Sequence, residues 1–268
     1  DWRVSSSFGF EFGARSTSID QQQSSARSKD SGTALTGGAV WTPGKHSRWT
    51  LNVASGFRFP TLEERFYTGV TAVGEIIGNP DLSTESSLGV DLGYALNAGD
   101  WTGEAHVWRN DVDDLIQLFE VAPGINGYTN VGEAELYGAE AALAWRPTNA
   151  WTLRTTATLV RGTNNMGEQL YGIPPVNADF EAHYQGGNWD AGLRYTHYWA
   201  FDRPGFEELP RDAVSVVDAD FRYYFTPTFN MQLFIRNAFD ELYYATSDEL
   251  STFAPERSIG MNLHWSMK

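Results

Sequence analysis

The chain has 268 residues, no cysteine, and 34 acidic against 19 basic side chains, which gives a formal net charge of −15. This charge argues against nucleic acid as a partner, because such binding depends on basic side chains that contact phosphates. The lack of cysteine excludes disulfide frameworks and thiolate zinc sites, and no run of eighteen apolar residues is present to predict a transmembrane helix.

Apolar side chains alternate with small or charged ones through most of the chain. Leu88, Val90 and Leu92, for example, alternate with Gly89 and Asp91. A period of two is typical of strands with one apolar face, and no segment keeps the period of an amphipathic helix. The alternation predicts twelve strands, which lie at 2–19, 32–42, 49–59, 84–97, 101–119, 129–146, 151–162, 175–186, 189–201, 213–226, 229–243 and 256–267.

The predicted connections alternate between short and long. The short turns lie at 43–47, 97–100, 147–150, 186–188 and 226–228. The long, polar connections lie at 20–31, 60–83, 120–128, 163–174, 202–212 and 244–255. Barrels of bacterial outer membranes have short periplasmic turns and long outer loops. We therefore predict an all-β protein, an antiparallel up-and-down transmembrane β-barrel, and expect it in the bacterial outer membrane, in contact with lipid.

Aromatic residues flank nearly every short turn. Trp41 and Trp49 flank the first, and Trp145 and Trp151 flank the third. They fall on the apolar face, where aromatic rings form a girdle at the level of the lipid headgroups. A soluble β-sandwich would bury such residues in a core and has no reason to place them at one end of its strands. The aromatic pattern therefore favours the membrane barrel.

The opposite face of the predicted strands carries charged side chains. In a barrel this face lines the lumen, where charges are tolerated, whereas an Arg or Lys in the middle of the lipid face costs about 2–4 kcal/mol. The charged residues on this face include Glu11, Arg58, Asp91, Glu140, Arg146, Arg154, Arg222 and Arg236. We expect these side chains to face the lumen.

Four motifs, in order along the chain, carry a family resemblance. They are ASGFRFPTLEE at 54–64 followed by GNPDL at 78–82, then YTNVG at 128–132 with YGAE at 137–140, NAFDELY at 237–243, and Arg257-Ser258 before an alternating run. Together they resemble the TonB-dependent outer-membrane receptor family, and the region that they cover is nearly the whole chain.

The resemblance implies a larger molecule than the twelve predicted strands. Barrels of this family have 22 strands and enclose an N-terminal plug domain, and a segment before the plug binds the energy-coupling partner TonB. No plug is recognised here, and no signal peptide is predicted at the start of the chain. The expectation is that residues 1–268 form the C-terminal portion of such a barrel.

The function implied by the resemblance is energised uptake of a scarce ligand, most often a ferric siderophore. Arg and aromatic side chains in the long loops are suited to contact such a chelate by charge and by stacking. The candidate ligand-binding residues are Arg65, Tyr67, Glu75, Tyr128, Arg203, Phe206 and Arg211. In haem receptors that this family includes, an iron-binding histidine lies between two boxes that resemble 57–60 and 79–82 of this chain. No histidine lies from 47 to 105 here, so the resemblance disfavours haem, whereas cobalamin and carbohydrate ligands stay open.

Other classes of protein are weighed against this interpretation. A passive porin that forms a complete small barrel shares the girdle, the alternation and the long loops, and a soluble lectin-like β protein is a further alternative. For an enzyme, His197 and Asp202 are close in sequence, but no nucleophile is supplied for them. We expect no catalytic residue, no metal site and no cofactor.

Overall fold

The computed structural model describes residues 2–23, 26–71, 74–206, 208–244 and 251–266. Within these residues, no helix has the length and apolar character needed to span a bilayer. The elements in chain order are β1 (Trp2–Arg3), β2 (Phe8–Gln23), β3 (Ala26–Trp41), β4 (Ser47–Arg58), α1 (Leu62–Phe66), β5 (Thr68–Thr71), β6 (Gly74–Ile77), β7 (Glu85–Ala98), β8 (Trp101–Asp113), β9 (Ile116–Ala122), β10 (Ile125–Asn130), β11 (Ala134–Trp145), β12 (Trp151–Asn164), β13 (Asn177–Gln185), β14 (Trp189–Tyr198), β15 (Val214–Thr226), β16 (Phe229–Arg236) and β17 (Ser258–Trp265).

Thirteen of the strands form one large antiparallel sheet, which we call the wall. Its order is β1-β2-β3-β4-β7-β8-β11-β12-β13-β14-β15-β16-β17, so neighbours in the sheet are also successive wall strands in the chain. This topology confirms the predicted all-β, up-and-down barrel fold. The first predicted strand, at 2–19, contains β1 and most of β2, which continues to Gln23. Over the described residues the wall is open, with β1 and β17 unpaired to each other; it is a partial barrel and not the closed small barrel of the porin alternative.

The strand registers separate an apolar face of the wall from a polar one. Leu92 pairs with Val107, which also pairs with Ala139, and these residues form one apolar row across β7, β8 and β11. Asp91 pairs with Asn52 on the opposite face. The apolar side chains are exposed, at 41% for Leu92 and 52% for Val107, as expected for a surface that contacts lipid.

Aromatic side chains cluster at the short-turn end of the wall and contact one another across strands. The ring centroids of Trp49 and Tyr94 are 4.5 Å apart, and those of Trp101 and Trp145 are 5.0 Å apart in a stacked arrangement. Further along the wall, Tyr184 and Trp189 approach to 4.5 Å. The predicted girdle is therefore a continuous feature of this end of the sheet.

The other end of the wall is more regular than the sequence indicates. The segment 20–31 is predicted as a long loop, but β2 and β3 continue through it and pair as far as Gln23 with Ala26. The prediction is wrong because it relies on an apolar face. Residues 16–23 and 26–33, which we call the hairpin extension, reach beyond the pairing of β3 with β4, which ends at Thr36, and both of their faces are polar.

A second, smaller sheet has the order β5-β6-β10-β9. β5 and β6 lie in the connection predicted at 60–83. β9 and β10 include the connection predicted at 120–128, but also the ends of the strands predicted at 101–119 and 129–146. Those two predicted bounds are wrong, because the first wall strand stops at Asp113, before the positive φ of 57° at Asp114, and the second begins only at Ala134.

Strands β6 and β10 run parallel, with Ile125 opposite Glu75, whereas the other pairs are antiparallel. This loop sheet lies between wall strands in the chain: β5 and β6 precede β7, and β9 and β10 precede β11.

Candidate functional site

The connection after β4 is held by paired charges and a helix cap. Thr61 and Glu64 form a capping box: the Glu64 backbone N–H donates to Thr61 Oγ1 at 3.1 Å, and the Thr61 N–H donates to Glu64 Oε2 at 2.7 Å. Arg58, at the end of β4, donates to Glu64 at 3.0 Å and to Glu85 at 2.6 Å. These bonds tie α1 to the ends of β4 and β7.

Arg65 anchors α1 to the hairpin extension. Its guanidinium is 2% exposed and donates to Asp30 at 2.6 and 2.9 Å, to Gln21 at 3.0 Å and to the Leu82 carbonyl at 2.9 Å. The hydrogen bonds from Arg65 hold the pKa of the Asp30 carboxyl below its usual range. Arg65 is predicted as a ligand contact, but the structure directs its donors to the protein and leaves it almost no surface.

Two asparagines connect the loop sheet to the connection before β7. Asn79 Nδ2 donates to the Tyr128 carbonyl at 3.0 Å. The Ser83 N–H donates to Asn130 Oδ1 at 2.9 Å, and Asn130 Nδ2 donates to the Asp114 carbonyl at 2.5 Å. The GNPDL and YTNVG motifs therefore contact each other, and their polar residues fix β10 in place.

A cavity of about 740 Å³ lies between the loop sheet and the wall. Its size is in the range of roughly 300–1,000 Å³ typical of small-molecule sites. The residues that line it are Leu115, Ile116, Gln117, Leu118, Phe119, Tyr128, Leu136, Asn164, Glu168, Gln169, Leu170, Tyr171, Ile173, Pro204, Gly205 and Phe206. We call it the larger cavity, to distinguish it from a smaller one described below. Leu136 lies on the same face of β11 as Glu140, and this is the face expected to line the lumen, so the larger cavity is on the lumen side of the wall.

Two of the seven predicted ligand residues, Tyr128 and Phe206, line the larger cavity. The ring of Phe206 stacks on that of Phe119 with centroids 6.2 Å apart. Burial, followed by the negative charges of Glu63 and Glu64, raises the pKa of Tyr128. Its phenol therefore stays protonated at neutral pH.

Arg211 lines a smaller cavity, of about 240 Å³, near the ends of β14 and β15. Its guanidinium carbon lies 3.9 Å from the centroid of the Tyr244 ring, a cation–π contact. Tyr243 lines the same cavity and stacks on Tyr198 with centroids 6.1 Å apart. Burial raises the pKa of Tyr243, so its phenol also stays neutral.

The remaining predicted residues lie outside the linings of both cavities. Tyr67 is the C-cap of α1 and is 37% exposed. Glu75 is exposed in β6, opposite Val70 and Ile125. Arg203 is exposed in the connection between β14 and β15, beside the lining residue Pro204.

Sequence reasoning missed the apolar base of the larger cavity. Leu170 and Ile173 are buried there with Val112 and Ala134, and these four residues form a hydrophobic cluster. The available signal was the pair of apolar residues within the polar segment predicted at 163–174. Apolar residues in such a segment indicate a loop that packs against another part of the protein, here the wall strands that carry Val112 and Ala134.

Proteins of related sequence resemble most of this chain. It is 24% identical over 274 residues to the "Iron-regulated outer membrane virulence protein" of Vibrio cholerae serotype O1. The matched region covers 90% of this chain and 40% of that protein. It is 28% identical to "Heme/hemopexin utilization protein C" of Haemophilus influenzae, over 73% of this chain and 32% of that protein. The chain thus spans about two-fifths or less of the length of these curated relatives.

Solved structures and a family profile give the same result. The "Copper transporter OprC" superposes with a TM-score of 0.83 at 18% identity, covering 98% of this chain and 46% of that one. The FrpB iron transporter of Neisseria meningitidis (F5-1 variant) gives 0.77 at 15% identity, covering 97% and 43%. These likenesses show the fold. The profile described as "TonB dependent receptor-like, beta-barrel" matches residues 1–238, and the chain therefore belongs to this family of outer-membrane β-barrels.

Proposed function

We propose that this chain is the C-terminal part of the barrel of an outer-membrane receptor that takes up a ferric siderophore with energy supplied through TonB. The observation that carries the proposal is the larger cavity, which lies on the lumen side of a barrel wall and is lined in part by residues of the long connections. In this proposal a ligand arriving from outside meets the cavity at the outer end of the lumen. The Vibrio cholerae relative, named as iron-regulated, supports an iron compound as the cargo.

We assign the ligand contacts to the two predicted residues that line this cavity. Phe206, stacked on Phe119, offers a flat apolar surface, and Tyr128 offers a neutral phenol. Tyr67, Glu75 and Arg203 stay proposed contacts for the first encounter at the exposed rim, and Arg211 one at the smaller cavity. Arg65 is a positioning residue in this proposal, because its donors hold the hairpin extension.

The proposed coupling to TonB passes through parts of the receptor outside these residues. In this proposal the plug and the TonB-binding segment belong to the N-terminal part of the full receptor. The wall would then supply the lumen, and the loops would supply the contacts that hold the ligand until the plug moves. Haem suits this chain less well, since positions 47–105 contain no histidine.

The test is iron uptake by whole cells. A deletion strain is complemented with the full-length receptor or with its Phe206→Ala variant, and uptake of radioactive iron from siderophore chelates is measured in low-iron medium. We expect Phe206→Ala to lower uptake at least fivefold at limiting ligand. The matched control is Phe239→Ala, since Phe239 is 70% exposed and lies outside both cavities.

Three results would decide against the proposal. The first is uptake that is unchanged when the receptor gene is deleted. The second is uptake that persists without TonB, which is the behaviour of a passive pore. The third is an equal loss in the Phe206→Ala and Phe239→Ala variants, because the larger cavity would then have no special part in transport.

A further inference from the structure

The larger cavity has an unusual charge balance for a site that would receive an iron chelate. Among the described residues that line it, Glu168 carries a negative charge and none is Lys or Arg. The Glu168 carboxylate accepts a hydrogen bond from Asn164 Nδ2 at 2.8 Å. The other polar members are amides, hydroxyls and backbone groups, such as Gln117 and Tyr128.

Two further acidic side chains act on one lining residue, Tyr128. The charges of Glu63 and Glu64 reach Tyr128, because they contribute to the rise of its pKa. The two arginines nearest in sequence to these acids are already in ion pairs, Arg58 with Glu64 and Glu85, and Arg65 with Asp30. With a net charge of −15 for the chain, we expect the potential in this cavity to be negative.

Ferric chelates fall into charge classes that such a potential distinguishes. Three doubly charged catecholates around ferric iron leave a triply negative complex, whereas three singly charged hydroxamates leave a neutral one. A multiply charged anion loses its hydration when it enters an apolar cavity, and without a cationic partner nothing compensates for that loss. A neutral chelate carries no such penalty and gains from apolar and aromatic contacts.

We propose that the larger cavity selects neutral ferric chelates of the tris-hydroxamate class and rejects triply negative tris-catecholate chelates; this inference rests on the proposed function. Phe119 and Phe206 contact the hydrocarbon parts of the chelate, and the amides of Gln117 and Gln169 can bond to its carbonyl oxygens. Glu168 adds repulsion against anions, which makes the selection sharper.

Equilibrium binding to the purified full-length receptor tests this selection. The probes are ferrichrome, a neutral tris-hydroxamate chelate, and ferric enterobactin, a triply negative tris-catecholate chelate, followed by quenching of tryptophan fluorescence. We expect ferrichrome to bind at least tenfold more tightly. Its dissociation constant should change less than twofold between low and high salt, because a neutral ligand is not subject to ionic screening.

Variants assign the selection to this cavity and not to other parts of the receptor. Gln117→Arg replaces an amide of the lining by a cation, so we expect ferric enterobactin to bind at least fivefold more tightly, while ferrichrome binding weakens only as much as it does in Gln117→Leu. Gln117→Leu is the control for loss of the amide alone. Arg203 is a proposed rim contact, so we expect Arg203→Gln to weaken binding of the two chelates by a similar factor, whereas a site built for anions would lose ferric enterobactin selectively.

The outcomes separate the inference from the proposed function. If ferric enterobactin binds as tightly as ferrichrome and Phe206→Ala weakens it, the charge selection is wrong while the siderophore receptor stands. If neither chelate binds, the inference is also overturned. If, in addition, iron uptake by whole cells does not depend on the receptor, the proposed function is wrong as well. Tighter ferrichrome binding that is lost in Phe206→Ala supports both.

Discussion

The wall and the loop elements differ in how their structure is specified. A wall strand such as β8 needs only the alternation of apolar and polar residues, because backbone hydrogen bonds to its neighbours do the rest. The loop elements depend on individual side chains. The guanidinium of Arg65, for example, makes hydrogen bonds to Asp30, Gln21 and Leu82. The wall should therefore tolerate any exchange that keeps polarity, whereas the loops should fail when one particular side chain is lost.

The largest effect is expected for Arg65→Met. Removing the guanidinium leaves the Asp30 carboxylate mostly buried, at 12% side-chain exposure, without its cation, and breaking such a pair costs about 3–5 kcal/mol. Hydrogen exchange of the full-length receptor should accelerate at 26–30 and 61–66. Arg203→Met, at an exposed position, is the control and should leave exchange unchanged. Equal protection in both variants would contradict the anchoring role of Arg65.

The assignment of an apolar and a polar face to the wall is tested at two adjacent residues of β8, one on each face. Val107 lies midway along β8 on the apolar face, and Val107→Arg should destabilise the folded barrel by about 2–4 kcal/mol. The adjacent His106 lies on the other face, 3.2 Å from Asp91, so His106→Arg should be nearly neutral. Urea unfolding in lipid vesicles measures both. Similar losses at the two positions would mean that the faces are misassigned.

Low pH should weaken the ion pair between Arg65 and Asp30 before it affects the wall. The pKa of Asp30 is below its ordinary value of 3.8 because Arg65 bonds to the charged carboxylate. The stabilisation is therefore complete above pH 3.8 and is lost as the pH falls through the lowered value. Hydrogen exchange at 61–66, corrected for its intrinsic pH dependence, should rise in this acidic window, while that of β12 stays constant. Asp30→Asn should abolish the pH dependence; its persistence would assign the effect to another group.

The smallest effect is expected for the helix cap. Thr61→Ala removes the acceptor of the Glu64 N–H, and loss of such a cap costs about 1 kcal/mol. Exchange should accelerate within 62–66 and nowhere in the wall. Thr61→Ser keeps the hydroxyl and should restore protection, so a serine variant as labile as the alanine variant would show that the methyl group matters instead.

The alternation of apolar and polar side chains made the wall predictable, because one face of every wall strand contacts lipid and the other faces the lumen. The strand predicted at 84–97 is found as Glu85–Ala98, for example. Beyond the membrane this difference between faces ends, so the hairpin extension gives no periodic signal although it is regular in structure. The pairing of β6 with β10 joins residues fifty positions apart in the chain, such as Glu75 and Ile125, and no local pattern in the chain indicates that contact.

The candidate site was predictable by residue type but not by position. Tyr128 and Phe206 reach one cavity and Arg211 another, although all three lie in predicted loops or near their ends. Arg65 has the same appearance in the sequence as Arg203, since both lie in long polar connections. Burial separates them, because Asp30 in a distant strand takes up the charge of Arg65.

The order of the wall strands also has a consequence for how this protein is assembled and how it can change. Each wall strand between β1 and β17 pairs with the wall strand before it and the one after it, so the sheet can form one hairpin at a time with low contact order. No central core has to be repacked when a loop lengthens or when a hairpin is exchanged. The wall can therefore stay constant over evolutionary time while the connections diversify, and new ligand specificities can arise at little cost to folding.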